Sequence, residues 1–321
     1  MKVMIVGGAG FIGSHFTDRL LADSSTETVT LYDNFSSGRE WHFEHHLGDP
    51  RLNVVRAEVS DLQALATAMA GHQLVIHLAS NPDIAKAMTD PRVDFDEGTA
   101  LTFKVVEAAR MSGASEVLYA SGSGVYGDLG DVEAREDHGP LIPMSTYGAS
   151  KLAGEALLSS YSAMFGIKAS AFRFGNVVGP RQTHGVGFDF VRRLRRVPSE
   201  LEILGDGLQS KSYIHIEDVV TAVLSMRSTR RADYEVFNIA TGDYITVTEI
   251  AQLALDALGL PPHLTTFRYS GGDRGWKGDV PVVRISTERA QSRGWRCQRS
   301  CRQALKESML SMIHDDELGR L

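Results

Sequence analysis

The chain alternates short apolar runs with longer segments in which apolar residues recur every three or four positions. Lys2-Val3-Met4-Ile5-Val6 is the first run, and its lack of polar alternation predicts a strand buried on both faces. A helix begins within the glycines that follow and continues through Leu20 and Leu21. Residues 28–32 predict a second strand ending at Asp33, and residues 52–56 a third. The pattern then gives a helix over 61–69, a strand over 74–78, a helix over 99–111 and a strand over 116–120. A helix over 145–165 and a strand over 168–173 complete the series. Repeated strand-helix-strand order with short apolar strands predicts an α/β fold, a doubly wound parallel sheet with helices on both faces. After Gly179-Pro180 the pattern loosens, leaving a strand-helix signal at 213–226 and a helix at 247–258. No internal repeat or low-complexity tract interrupts it.

Gly7-Gly8-Ala9-Gly10-Phe11-Ile12-Gly13 follows the first strand without a spacer. Gly8, Gly10 and Gly13 fit G-x-G-x-x-G, and Gly7, Gly10 and Gly13 fit a G-x-x-G-x-x-G variant. Such glycines let the backbone turn tightly and approach a pyrophosphate, whose charge sits at the helix N-terminus. Asp33, twenty residues past Gly13, is placed to hold an adenosine ribose diol, as in NAD. Ser36, Ser37 and Arg39 offer the alternative of a 2′-phosphate, but they lie in a loop, whereas the carboxylate ends a strand. On this basis residues 1–176 and 211–243 form a dinucleotide-binding domain, with 177–210 and 244–321 as a smaller mixed α/β substrate lobe.

Composition narrows the class. The 321 residues are 43% hydrophobic and 23% charged, as in ordinary globular enzymes, and the net charge of −7 argues against a nucleic-acid partner. No stretch reads as a signal peptide or a membrane span, so a cytoplasmic protein is expected. Cys297 and Cys301 are one helical turn apart and cannot make a zinc site alone, so reduced thiols are expected. His42, His45 and His46 accompany Trp41 and Phe43 without other ligands, which reads as a surface segment and no metal.

Tyr147-Gly148-Ala149-Ser150-Lys151 sets a phenol and an amine at i and i+4, on one face of a helix. A phenol titrates near 10 in water and needs nearby positive charge to act as a base. Lys151 and an oxidised nicotinamide would both supply it.

Gly7-x-x-Gly10-x-x-Gly13, Asp33, His77-Leu78-Ala79-Ser80, Val125-Tyr126-Gly127, Tyr147-x-x-x-Lys151 and Asn176-x-x-Gly179-Pro180-Arg181 occur in that order. Leu204-Gly205-Asp206-Gly207, Asp218-Val219 and Arg274-x-x-x-Gly278-Asp279 continue the series. Together they resemble the extended short-chain dehydrogenase/reductases, and within them the nucleotide-sugar epimerase/dehydratase branch, especially UDP-sugar 4-epimerases. The resemblance implies a Rossmann-like fold with NAD held by Gly7, Gly10, Phe11, Ile12, Gly13, Asp33, Asn34, Ser37, Gly38, Glu58, Val59, Leu78, Ala79, Ser80, Tyr147, Lys151 and Phe174. It implies catalysis by Tyr147 and Lys151 with a serine hydroxyl, and a UDP-sugar held by Ser123, Tyr147, Asn176, Phe188, Arg192, Leu204, Lys211 and Arg274. It also implies a homodimer formed by the helices beginning near Thr99 and Ser145.

Departures from the family pattern are informative. Dehydratases carry Asp and Glu where this chain has Ser123 and Gly124, and decarboxylases carry Glu at the latter, so elimination lacks its acid and base here. The usual catalytic Ser/Thr position is Gly122, flanked by Ser121 and Ser123, of which Ser123 is the favoured hydroxyl. Gly98 stands where relatives often have Asn, and Lys211 where they usually have Arg. Arg192, in the run Arg192-Arg193-Leu194-Arg195-Arg196, lies on a segment that faces the sugar in relatives; a carboxylate contact competes with a diphosphate or surface role. The expected activity is C4 epimerisation of UDP-glucose/UDP-galactose or UDP-glucuronate/UDP-galacturonate. The alternatives are a net dehydrogenase or reductase on a nucleotide-linked sugar and an NAD-sensing binding protein.

Overall fold

The computed structural model describes residues 1–81 and 84–321. The chain runs β1 (Lys2–Val6), α1 (Phe11–Leu21), β2 (Thr28–Asp33), β3 (Leu52–Arg56), α2 (Leu62–Met69) and β4 (Leu74–His77). A short turn α3 (Arg92–Asp94) widens into a π-helical stretch (Phe95–Ala100) and then α4 (Leu101–Ser112). β5 (Glu116–Gly122), α5 (Thr146–Phe165), β6 (Lys168–Phe174), β7 (Asn176–Val178) and α6 (Val186–Arg196) follow. The remainder is β8 (Glu200–Ile203), β9 (Ser210–Lys211), β10 (Tyr213–His215), α7 (Ile216–Ser228), β11 (Tyr234–Ile239), β12 (Ile245–Thr246), α8 (Val247–Leu258), β13 (Thr266–Tyr269), α9 (Glu288–Ser292) and α10 (Cys301–Glu317).

Seven of these strands form one sheet in the order β11-β6-β5-β4-β1-β2-β3. The pairs β1–β2, β1–β4, β2–β3 and β4–β5 are parallel, as the expected doubly wound sheet requires. The strand order reverses between β1 and β4, and the loops leaving these two strands converge. Leu78 and Ala79 both donate their backbone N–H to the Val6 carbonyl. Leu78 therefore lies just past the strand that the sequence pattern extended through it. The expected helix over 99–111 also starts differently, because the π-helical stretch precedes α4.

Contacts divide the chain into two compact units, one of residues 1–125, 145–173 and 223–237, the other of residues 126–144, 174–222 and 238–321. The second unit thus includes 126–144, 174–176, 211–222 and 238–243, which the sequence pattern grouped with the dinucleotide-binding part. Long-range bonds explain the grouping: Ala134 bridges Ile285, and the Tyr126 hydroxyl donates to the buried Asn238 side chain at 2.7 Å. The first unit's core stacks Met4, Val6, Tyr32, Leu65, Val75, Val105, Tyr119 and Leu158. The second packs Phe190, Leu194, Ile203, Ile250, Leu305 and Met309 around α6, α8 and α10, beside the small pairings β7–β10, β9–β12 and β8–β13. Among the described residues, no helix is long and apolar enough to cross a membrane.

Candidate active site

The glycine loop explains its own composition. A Cβ on Gly13 would lie 2.6 Å from the carbonyl oxygens of Gly7 and Gly8, and one on Gly7 would lie 2.7 Å from the Ala79 nitrogen. Gly7 also adopts a φ of 83°, which favours glycine. At Gly10 a Cβ would meet only the Gly7 oxygen, at 3.4 Å, so that side of the loop is open. No side chain caps the start of α1 at Gly10, and the first amides of the helix, from Phe11 to Gly13, have no intrahelical acceptor. Such a helix start suits a pyrophosphate. Gly13→Ala should cost ~1 kcal/mol of stability by overpacking and lower the nucleotide content of the purified protein. Thermal unfolding and the ultraviolet spectrum of the released nucleotide check both effects.

Asp33 closes β2 almost buried, its two oxygens accepting the N–H groups of Ala9 at 2.9 Å and Phe35 at 2.7 Å. Burial raises its pKa, and those two bonds oppose the rise. Gly38 folds over it, where a Cβ would approach Ala9 Cβ to 2.8 Å. Ser37 lies exposed in the same loop. The Asn34 amide donates to Glu58 at 3.1 Å, and Val59 beside it is buried. These residues fit the adenosine half of a dinucleotide. His42 is buried rather than on the surface, with Nδ1 bonded to the Ala9 carbonyl at 2.8 Å, so it belongs to the frame of the loop. His45 and His46 both bond Asp18 Oδ1 through Nε2, so the fold groups a carboxylate with the two imidazoles that the local sequence did not reveal.

α5 carries Tyr147 and Lys151. Ser145 caps it by accepting the Gly148 N–H at 3.0 Å, and Gly154 lets it lie against β5, since a Cβ there would meet the Tyr119 hydroxyl at 2.4 Å. Lys151 is buried, donates to the Ala120 carbonyl at 2.9 Å, and sits 5.4 Å from the Tyr147 ring centroid. Burial lowers the ammonium pKa to about 8, with the charge of Asp94 opposing the change. The half-buried Tyr147 phenol is pushed up to about 12, chiefly by burial, while a hydrogen bond with Ser80 pulls it down. Proximity to Lys151 alone therefore does not make this phenol a base at neutral pH; further positive charge is required.

The two candidate hydroxyls differ. Ser121 is buried and donates Oγ to Glu155 at 2.6 Å, and Glu155 is paired in turn with Arg173 at 2.7 Å. Ser121 thus belongs to a buried network beneath the site. Ser123 opens the turn after β5 and is half-buried. The sequence pattern did not reveal Glu155, although it stands four residues past Lys151 on the same helix face. It also missed Asp94, which accepts hydrogen bonds from Asn81 at 2.9 Å and Thr146 at 2.6 Å; no local spacing links these three residues.

The second unit holds the other candidates. Lys211 pairs with Asp279, and Arg274 donates to the Asp279 carbonyl oxygen and to Asp128 Oδ2, the latter at 2.8 Å. Lys211 is therefore engaged by a carboxylate rather than solvated. Asn176 is exposed and donates to the Ser212 carbonyl at 3.2 Å; Leu204 is exposed, and Phe174 is buried at the end of β6. On α6, Phe188 is buried, and the exposed Arg192 lays its guanidinium 5.4 Å from the Phe188 ring centroid. Its neighbours Arg193 and Arg195 pair with Glu202 and Asp316. Cys297 and Cys301 are free, and burial pushes the thiols up to about 12 and about 11, so both are protonated.

The UDP-glucose 4-epimerase of Mycolicibacterium smegmatis is 30% identical over 304 residues, covering 88% of this chain and 95% of that one. A crystal structure of UDP-galactose 4-epimerase superposes with a TM-score of 0.87 at 34% identity, covering 98% and 99% of the two chains. The dTDP-glucose 4,6-dehydratase DesIV of Streptomyces venezuelae, solved with NAD and TYD bound, gives 0.90 at 25% identity, covering 99% and 98%. The profile described as "NAD dependent epimerase/dehydratase family" matches residues 3–240, and the chain belongs to that family.

Proposed function

We propose that the protein is a UDP-sugar 4-epimerase. NAD is its cofactor, and nucleotide-sugar chemistry is common to the family; the choice of reaction is our reading. One observation carries it: the Tyr147–Lys151 pair stands beside the end of β5, where the segment Ser121-Gly122-Ser123-Gly124-Val125-Tyr126-Gly127 holds no carboxylic acid. Loss of water from a sugar needs a proton donor and a base there; epimerisation needs only a group that takes and returns one proton.

NAD, when bound by the glycine loop and Asp33, supplies a reversible hydride acceptor. Tyr147 takes the proton of the sugar 4-hydroxyl and later returns it to the same oxygen. Lys151 holds positive charge behind the phenol, and Ser123 donates a hydrogen bond to the reacting oxygen. Asn176, Lys211 and Arg274 anchor the diphosphate, so the flat 4-keto sugar turns over without leaving. Lys211 and Arg274 must then exchange their Asp279 and Asp128 partners for phosphate oxygens.

Exposed Phe103 and Met111 on α4 and Met164 on α5 support a homodimer through these two helices. The NAD requirement suits the cytoplasm.

Purified protein incubated with a panel of UDP- and dTDP-sugars should return the 4-epimer of a UDP-sugar without net NADH. Steady release of NADH, or a 4-keto-6-deoxy product, would overturn the assignment. Denaturation should release NAD; NADP as the main nucleotide would overturn the role given to Asp33.

A further inference from the structure

Asp94 is a buried carboxylate that the proposed mechanism leaves without a task. It is 1% exposed and ends α3 where the chain widens into the π-helical stretch. Asn81, one of its two partners, follows the Leu78-Ala79-Ser80 loop, and Thr146, the other, is the first residue of α5, directly before Tyr147. One carboxylate thus ties the loop after β4 to the helix start that carries the phenol. Among the described residues, no Lys or Arg comes within ion-pair distance of it. A carboxylate this deep, where it carries a charge, requires compensation.

Lys151 stands on the helix whose first residue Asp94 holds, five residues past Thr146, and the other titratable groups around it are accounted for. His77 on β4 is held neutral by burial, its pKa lowered to about 3, and burial keeps the Tyr119 phenol on β5 protonated. Glu155 on α5 is committed to Arg173, and Tyr147 is protonated at neutral pH. Asp94 is the charge that acts on Lys151 against the effect of burial. Residue 98 does not substitute: it is glycine, and a Cβ there would lie 2.5 Å from Ser150 Oγ.

We propose that Asp94 is a positioning residue, fixing the start of α5 against the loop after β4 and serving as the buried counter-charge of Lys151. The proposal rests on the catalytic reading of Tyr147 and Lys151, and its test separates the two. In NAD-loaded protein carrying Tyr147→Phe, so that no phenolate contributes, and labelled with 15N-lysine, the Nζ signal of Lys151, assigned with Lys151→Arg, is titrated. Asp94→Asn should lower its midpoint by about one pH unit, and Asp94→Glu should restore it. Thr146→Val, which removes one bond and no charge, should leave the midpoint in place and, with Tyr147 intact, lower kcat about tenfold with little change in KM.

An unchanged midpoint in folded Asp94→Asn would overturn the counter-charge role. If that variant does not fold, a midpoint in Asp94→Glu displaced as far as complete loss of the charge predicts would overturn it. Full kcat in Thr146→Val would overturn the positioning role. A wild type that epimerises no sugar would remove the proposed function and leave the titration result standing.

Discussion

Tyr147→Phe should give a folded, NAD-loaded protein whose epimerisation rate has fallen ~10²–10⁴-fold. The change removes one hydroxyl and leaves the ring that lies 5.4 Å from the Lys151 ammonium. In the protein without ligand, burial holds this phenol near 12, so at neutral pH it is protonated and no base. In the proposed mechanism its activation comes with the oxidised cofactor, whose nicotinamide is cationic, acting together with Lys151. If the hydroxyl carries the proton in both directions, as proposed, forward and reverse reactions should fall by the same factor. The measurement is product formation from each epimer, with the bound nucleotide quantified after denaturation. A variant that keeps more than about half of the wild-type rate, fully loaded with NAD, would show that another group moves the proton.

The second large effect concerns the sugar. A neutral hexose presents no charge at carbon 6, whereas a uronate carboxylate gains a strong charge-assisted bond from a planar guanidinium. Arg192 is exposed, is stacked on Phe188, and has no carboxylate partner among the described residues, while Arg193 and Arg195 on the same helix are paired. If Arg192 reads the sugar, Arg192→Ala should reduce kcat/KM for UDP-glucuronate by about 1.5–3 kcal/mol and leave UDP-glucose nearly unchanged. Equal losses on both sugars would assign Arg192 to the diphosphate or to the surface. No turnover of UDP-glucuronate by the wild type would leave UDP-glucose and UDP-galactose as the preferred pair.

The sequence by itself determined the features that are local. β1, the glycine loop and α1 are contiguous, so the apolar run and the spacing of Gly7, Gly10 and Gly13 reveal the turn that the structure contains. Asp33 is legible because a strand end fixes it, and Tyr147 and Lys151 because a helix brings i and i+4 together. Only the tertiary structure decided which hydroxyl remains available, since Ser121 is engaged by Glu155, 34 residues away. Likewise, Asp94 meets Thr146 across 52 residues, and Lys211 meets Asp279 across 68. Such pairings leave no period in the sequence, because they arise where separate elements pack together. A buried carboxylate must find its donors wherever the fold delivers them, and in this chain it delivers them from distant segments.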